Sequence, residues 1–335
     1  MKRSVFGTSV QGASHIRSGV ECQDSYKKLI CDDGTIVLAV ADGHGSKNCP
    51  FSKTGSSIAV NVFCKIMSEY VANFAGAPGT LLTYLNREGD TKVAQAIDAE
   101  WKRRVYKNHR DNKRDVPLDE NGEKILQQVY SQYGTTLLGL MLTETFIFAF
   151  QIGDGDIVFT SADGFEPVIT GDKILGVETH SLSKIDAWKK AITAVRRIDF
   201  HEKLPSMFLM SSDGFANSYK NEEEFAKTCL EYFDMVNQYG MKAVGENLKN
   251  WLSETSAMGC GDDITVLMAY YNAGEGEDCT EEISSEETEL VAETDTAAPE
   301  EETSCKEPTV AAPADEVKVE PETVIIQESE VIPGE

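Results

Sequence analysis

Four aspartates stand beside apolar, strand-like runs, and this pairing strongly limits how the chain can fold. Each run is rich in β-branched or aromatic residues and is bounded by Gly or Asp, as strands are. Three of the aspartates follow their runs and one precedes its run, and the end of one antiparallel strand lies beside the start of its neighbour. The sequence therefore predicts that four carboxylates meet at one sheet edge: Asp42 after Ile36–Ala41, Asp154 after Thr145–Ile152, Asp213 after Met207–Met210, and Asp262 before Ile264–Tyr271.

The order of the predicted elements favours an α+β fold with antiparallel sheets. A fifth strand is predicted over Ile157–Ser161, and strands and helices occur in groups without the regular alternation of a doubly wound sheet. Lys107–Lys124 is charged and turn-rich and is predicted to be a surface insertion. Apolar residues recur at helical spacing in four segments, which are Phe51–Phe74, Thr91–Tyr106, Glu222–Gln238 and Met241–Ser253.

A cluster of four carboxylates points to a divalent cation. A single Asp-Gly after a strand is usually only a turn, but four carboxylates brought together repel one another unless a cation lies among them. The available donors are hard oxygens, with no pair of Cys or His beside them, which selects Mg²⁺ or Mn²⁺. Two such ions activate a water molecule and stabilise a phosphoryl group.

The charge of the chain is unevenly distributed. Its 31 basic and 56 acidic residues give a net charge of −25, and the segment from Asn272 to Glu335 holds 21 acidic and 2 basic residues. This segment is poor in aromatic residues and is predicted to be disordered. We expect a catalytic domain over residues 1–272 and an acidic tail over residues 273–335. The acidic balance argues against nucleic-acid binding.

Cysteine usage and apolar patterning predict a monomeric cytoplasmic protein. The eight cysteines form no CxxC pair, which is typical of reduced thiols. No run approaches the ~18 apolar residues of a membrane span, and the basic start of the chain lacks the apolar region of a secretory signal. We therefore expect no membrane association.

Six motifs follow one another along the chain. They are His15…Gln23-Asp24, Asp42-Gly43-His44-Gly45, Tyr133-Gly134-Thr135-Thr136-Leu137, Gly153-Asp154, Ser212-Asp213-Gly214 and Gly261-Asp262-Asp263-Ile264-Thr265-Val266. In this order they resemble the motifs of the metal-dependent protein phosphatases of type 2C, the PPM family. The resemblance covers residues 4–271 and is closest to the compact bacterial branch. It implies a four-layer α-β-β-α sandwich of two antiparallel sheets that hydrolyses phosphoserine and phosphothreonine in the substrates of a serine/threonine kinase.

The resemblance also implies a metal centre with two Mn²⁺ or Mg²⁺ ions and a position for a third. By position, Asp42 would bridge the two ions and the Gly43 carbonyl would hold one of them. Asp213 and Asp262 would complete the other site. Asp154, together with Asp213, matches the position of a third, weaker ion in bacterial relatives.

Catalytic roles follow from the same resemblance. A hydroxide bridging the metals would attack the phosphoryl group directly, His44 would be the general acid, and Asp24 would orient metal-bound waters. Two positions depart from the family: Gln23 stands where many relatives have Glu, and Gly19 stands where they tend to have a phosphate-binding Arg. Arg17, two residues earlier, is the candidate for that role.

Alternative functions depend on other readings of the same motifs. No cysteine is followed six residues later by Arg, which excludes a cysteine phosphatase. Asp154-Gly155-Asp156-Ile157-Val158 fits the nucleophile motif of the haloacid dehalogenase superfamily, with Asp154 as nucleophile, although this reading gives the first 150 residues no role. A non-catalytic phosphoprotein-binding module on the phosphatase fold is the third alternative.

Overall fold

Two five-stranded antiparallel sheets form the centre of the protein. The computed structural model describes residues 2–169, 180–198 and 204–273, so the predicted acidic tail lies outside the described residues apart from its first position. One sheet has the strand order β1-β10-β9-β6-β7 and the other β2-β3-β4-β5-β8. The strands are β1 (Lys2–Val10), β2 (Ser25–Ile30), β3 (Ile36–Ala41), β4 (Leu137–Leu142), β5 (Phe146–Ile152), β6 (Asp156–Ser161), β7 (Gly164–Pro167), β8 (Ile192–Arg197), β9 (Ser206–Ser211) and β10 (Ile264–Asn272).

Helices cover the outer face of each sheet. One group, led by α2 and α4, packs on the sheet that contains β3, and α7 and α8 pack on the other. A π-helical turn at Gly89–Val93 joins two helices, and a short 3₁₀ helix lies at Ala187–Lys190. The α-helices are α1 (Ala13–Ser18), α2 (Ser52–Asn73), α3 (Pro78–Glu88), α4 (Ala94–Asp111), α5 (Leu126–Ser131), α6 (Asp213–Ala216), α7 (Glu222–Tyr239) and α8 (Met241–Met258).

Three apolar layers hold the sandwich together, which explains the uninterrupted apolar runs of the central strands. Successive side chains of a strand point to opposite faces. In β3, Leu38 packs between the two sheets and Val37 packs against the helices. Both faces are therefore buried, and the whole strand reads as apolar. The predicted four-layer arrangement of two antiparallel sheets between helices is confirmed.

Most of the strongly patterned elements were predicted, but β4, a fully buried apolar strand, was not. The five predicted strands and four predicted helices are present, with ends shifted by a few residues. Weakly patterned strands such as β2 and β8, which are only partly buried, were not predicted. The predicted insertion Lys107–Lys124 is wrong at its start, because Lys107 to Asp111 continue α4. None of the helices in the described part of the chain is long and apolar enough to cross a membrane.

A glycine inside α2 allows the helix to approach the backbone before β4. A Cβ built on Gly55 would lie 2.0 Å from the carbonyl oxygen of Tyr133, and the Gly55 carbonyl accepts a 3.0 Å hydrogen bond from the indole N–H of Trp101. Helix propensity alone would favour Ala over Gly by ~1 kcal/mol. At this position the close approach outweighs that preference.

Gly55→Ala should therefore lower the free energy of unfolding by roughly 1–3 kcal/mol, the usual cost of overpacking. Gly79→Ala is the matched control, because a Cβ at this glycine in α3 meets nothing within 4 Å. The control should raise stability by ~0.5–1 kcal/mol. Denaturant unfolding of both variants measures the difference, and an equal gain for both would contradict the close packing of α2.

Candidate metal centre

The antiparallel register brings the four aspartates to one edge of the sandwich. In one sheet, Leu137 of β4 pairs with Ile152 of β5, and the Thr136 N–H donates a 2.8 Å hydrogen bond to the Asp42 carbonyl. In the other, Ser211 at the end of β9 pairs with Val266 near the start of β10. The edge holds a pocket of about 280 Å³, lined by His15, Asp42, Gly43, His44, Gly45, Ser46, Thr136, Asp154, Asp213 and Asp262.

Backbone contacts fix Asp42 and Gly43 at the wall of this pocket. The Asp42 N–H donates to Thr136 Oγ1 at 2.9 Å, and Thr135 Oγ1 donates to the Asp42 carbonyl at 2.8 Å. Gly43 forms an isolated bridge with Thr135. A Cβ on Gly43 would lie 2.8 Å from the Gln23 carbonyl oxygen, so a larger residue would displace the chain here. The predicted pair of ligands is thus held rigidly.

Asp24 lies behind the pocket wall and does not line it. Its side chain is 1 % exposed, and its Oδ2 accepts hydrogen bonds from Ser212 Oγ at 2.7 Å and Thr265 Oγ1 at 2.8 Å. Burial raises the pKa of Asp24 to about 7, and the charges of Asp263 and Asp213 act in the same direction. The two hydroxyl hydrogen bonds oppose this rise. Asp24 is therefore adjacent to the candidate metal centre but does not form part of the pocket wall.

The carboxyl groups of the cluster disfavour one another's charge. Burial raises the pKa of Asp42 well above its usual range, and Asp24 and Asp213 raise it further. Burial also raises the pKa of Asp213 to about 6, with Asp154 as the next cause. A cation in the pocket would remove this mutual repulsion.

The donor atoms fit a hard divalent cation. At and directly behind the pocket, the buried oxygens without a hydrogen-bond partner among the described residues include Asp24 Oδ1, Asp213 Oδ1 and Gln23 Oε1. Buried oxygens are normally satisfied, so their arrangement calls for a positive partner. Within residues 2–169, 180–198 and 204–273, no three His, Cys, Asp or Glu side chains lie close enough together to hold an ion by themselves. Water and the Gly43 carbonyl would complete the ligand set, as Mg²⁺ and Mn²⁺ accept.

His44 is held at the pocket by its own backbone and by a glycine. Its N–H donates a 3.0 Å hydrogen bond to the Gly134 carbonyl. A Cβ on Gly134 would lie 2.7 Å from Cδ2 of the imidazole, so the ring packs directly on this glycine. The predicted general acid is thus placed beside the predicted metal ligands.

Arg17, like Asp24, is a predicted site residue that does not line the pocket. It lies exposed on α1, whereas His15, two residues earlier, lines the pocket. Its phosphate-binding role stays a prediction.

Sequence reasoning missed Asp263, which is 4 % exposed. Its carboxylate accepts the Gly12 N–H at 2.6 Å and the Gln23 N–H at 2.7 Å, and it contacts His15 Nδ1 at 2.8 Å. No strand pattern marks its role, because Asp262 and Asp263 both precede Ile264, the first residue of β10. Only their contacts distinguish Asp262, which lines the pocket, from the buried Asp263.

Comparisons with known proteins agree with this geometry. The sequence model of the family described as Protein phosphatase 2C matches residues 11–253. Comparison with curated proteins gave no significant match. Among solved structures, the S. agalactiae serine/threonine phosphatase is similar with a TM-score of 0.52 and 14 % identity, over 81 % of this chain and 100 % of that one. A bacterial serine phosphatase is similar with a TM-score of 0.54 and 12 % identity, over 82 % of this chain and 99 % of the other.

The fold and the carboxylate-lined pocket define a protein of the phosphatase class. The chain belongs to the protein phosphatase 2C family, whose members are phosphatases that act on phosphoproteins and use divalent metal ions. The structure does not favour the dehalogenase-type alternative. Asp42, from the first part of the chain, lines the same pocket as Asp154, and Asp262 is preceded by a loop instead of a strand.

The stability of the metal-free protein should fall as the pH rises from about 4 to 7. The pKa values of Asp24, Asp42 and Asp213 are raised in the folded state, so the unfolded chain loses these protons at lower pH than the folded protein does. Deprotonation therefore costs folding free energy over this interval. Unfolding of chelator-treated protein at pH 5 and 7.5 measures the slope.

Asp213→Asn tests whether repulsion among the buried carboxylates causes this pH dependence of stability. It should flatten the slope and raise the Tm of the metal-free protein at pH 7.5 by several degrees, because it removes one buried charge from the cluster. Added Mn²⁺ should then stabilise the wild type more than the variant. A variant that is less stable than the wild type without metal would contradict repulsion among these carboxylates.

Proposed function

We propose that the protein is a Mn²⁺- or Mg²⁺-dependent phosphatase of phosphoserine and phosphothreonine in proteins. The observation that carries the proposal is the single pocket in which Asp42, Gly43, His44, Asp213 and Asp262 all take part. These residues come from three separate segments of the chain. The family supports phosphoprotein hydrolysis in general, and the residue roles below are the part that we propose.

The carboxylates and one carbonyl would hold the metal ions. Asp42 and the Gly43 carbonyl lie together after β3, and Asp213 and Asp262 lie together where β9 ends and β10 begins. Asp154 faces the same pocket and would hold a third, weaker ion together with Asp213. When bound, the ions would supply a nucleophile from water at neutral pH and neutralise charge on the phosphoryl oxygens.

Asp24 would position water, and His44 would protonate the leaving group. Asp24 is buried between Ser212 and Thr265 and would orient water at the centre from behind the pocket wall. His44, with its ring packed on Gly134, would donate a proton to the departing serine or threonine oxygen. We place this activity in residues 1–272, because every residue that lines the pocket precedes β10. The tail over residues 273–335 would be an appendage without a catalytic role.

Replacing a ligand by its amide tests the metal roles. Asp42→Asn, Asp213→Asn and Asp262→Asn should each lower kcat on a phosphothreonine peptide by orders of magnitude, because each removes a charged ligand. Chelation of the wild-type protein should abolish turnover, and added Mn²⁺ should restore it. Asp234→Asn, an exposed position on α7, is the control and should leave kcat unchanged.

Undiminished activity after exhaustive chelation would contradict a metal mechanism. A wild-type protein that binds phosphopeptides but hydrolyses none with either metal would favour the non-catalytic binding module instead. Covalent labelling of Asp154 by substrate phosphate would favour the dehalogenase-type mechanism.

His44→Ala tests the general acid by comparing two leaving groups. On a phosphothreonine peptide the variant should lose on the order of 10²–10⁴ in kcat, since the alkoxide needs a proton. On p-nitrophenyl phosphate, whose leaving group needs none, the loss should be much smaller. Parallel kinetics on both substrates provide the measurement, and equal losses would show that His44 has a structural role.

A further inference from the structure

His15 is a pocket residue for which the proposed function provides no role. It lies on α1, lines the pocket beside Asp262, and is 18 % exposed. Its Nδ1 is 2.8 Å from Asp263 Oδ1, and its Nε2 is 3.9 Å from Asp262 Oδ1. The ring therefore links a buried carboxylate on one side with a predicted metal ligand on the other.

The hydrogen bonds of Asp263 determine which nitrogen of His15 carries the proton. Gly12 N–H donates to Oδ1 and Gln23 N–H donates to Oδ2, so both carboxylate oxygens act as acceptors. Nδ1 of His15 must then be the donor in the third contact. In the neutral imidazole this leaves Nε2 with a lone pair that faces the pocket.

This geometry is that of a metal-binding histidine. Histidine ligands almost always donate their second ring N–H to a carboxylate or carbonyl, which fixes the ring and increases its basicity. Two donors that each lie ~2.1 Å from one ion are separated by roughly 3–4 Å. The 3.9 Å between His15 Nε2 and Asp262 Oδ1 falls in that interval.

A third donor lies on the same side of the pocket. Gln23 Oε1 is buried and has no hydrogen-bond partner. A Cβ built on Gly45 would lie 2.8 Å from Gln23 Oε1 and 3.4 Å from His15 Nε2, so both atoms flank the same pocket-lining glycine. The amide oxygen of Gln23 is an uncharged donor, and a nitrogen donor beside it would add a second neutral ligand on this side of the pocket.

The His15 ring is not needed to hold its own segment in place. The segment around α1 is already joined to the loop before β10 without it. Ser14 donates to the Gly261 carbonyl from both its N–H and its Oγ, at 2.9 and 2.5 Å, and the Ala13 N–H donates to Ser256 Oγ at 3.0 Å. These bonds would hold the loop if His15 were absent.

We propose that His15 Nε2 is a ligand of one of the metal ions, together with Asp262 and with Gln23 Oε1 beside it. The proposal rests on the proposed metal centre and goes beyond its all-oxygen ligand set. Mg²⁺ takes oxygen ligands, whereas first-row transition metals also bind nitrogen, and Mn²⁺ is the one among them that is suited to the surrounding carboxylates. The mixed site therefore favours Mn²⁺ over Mg²⁺.

Pulsed electron paramagnetic resonance of the Mn²⁺-loaded full-length protein tests the bond itself. The wild type should show coupling of Mn²⁺ to a directly bound imidazole nitrogen, and His15→Ala should lose it. His15→Gln preserves bulk and an amide donor toward Asp263 but has no ring nitrogen, so it should lose the coupling even if the alanine variant folds poorly. Ile16→Ala, at an exposed neighbour on α1, is the control and should retain it.

Metal affinities, titrated in the same proteins, give a second readout. His15→Ala should weaken Mn²⁺ binding at one site by on the order of 10–100-fold, and Mg²⁺ binding should weaken less. Coupling that survives in both His15 variants, or Mn²⁺ affinity that is unchanged in them, overturns the assignment. A rise in KM for phosphopeptide with unchanged Mn²⁺ affinity would instead place His15 against the substrate.

These results are distinguishable from a failure of the proposed function. A wild-type protein that hydrolyses phosphothreonine peptides with Mn²⁺ but shows no nitrogen coupling would refute the role of His15 alone. A wild-type protein that binds neither Mn²⁺ nor Mg²⁺ would refute both proposals.

Discussion

Repulsion among buried carboxylates is the constraint on which the rest of this structure depends. Asp24, Asp42 and Asp213 are largely removed from water, and burial is the first cause of the raised pKa of each. Such a cluster opposes folding while it is empty of cations. It persists because two rigid sheets impose the positions of the strand ends, and their three apolar layers supply the stabilising burial. The burial of apolar side chains in the core therefore offsets the cost of bringing these carboxylates together.

Hydrogen bonds across the sheet edge convert this constraint into a defined site. Ser212 directly follows β9, and Thr265 lies at the start of the neighbouring strand β10. Both side chains donate hydrogen bonds to Asp24 Oδ2. Asp263 gathers the N–H groups of Gly12 and Gln23 from the segment between β1 and β2. Each buried carboxylate that does not face the pocket is thus satisfied by protein donors on at least one oxygen. The pocket carboxylates also have protein donors, since Asp262 Oδ1 accepts the Asp263 N–H and Asp213 Oδ2 accepts the Asn217 side-chain amide, each at 2.9 Å, but they line the cavity that a cation would occupy.

The sequence predicted the parts of the fold and site that depend on local pattern. Continuous apolar runs such as β3 and β5 were predicted because both of their faces are buried. Strands with one polar face, such as β2 with its two lysines, lack that signal. The pocket aspartates were predicted because each adjoins a strong strand, and antiparallel pairing brings strand ends and starts together. Asp263 was not, because its role depends on partners about 240 and 250 positions away.

Which of His15 and Arg17 faces the pocket is a feature of the site that the sequence alone does not determine. Residues two positions apart in a helix are rotated by about 200° around its axis and therefore point to nearly opposite sides. Only one of His15 and Arg17 can face the pocket. The sequence determined that a basic side chain stands near this point, and it determined the apolar strands and the aspartates that adjoin them. Only the tertiary structure decided that His15 faces inward and Arg17 outward, because contacts of Gly12 and Ser14 with the loop before β10 set the rotation of α1. Those contacts join segments about 250 residues apart, and no local pattern encodes the angle at which they meet.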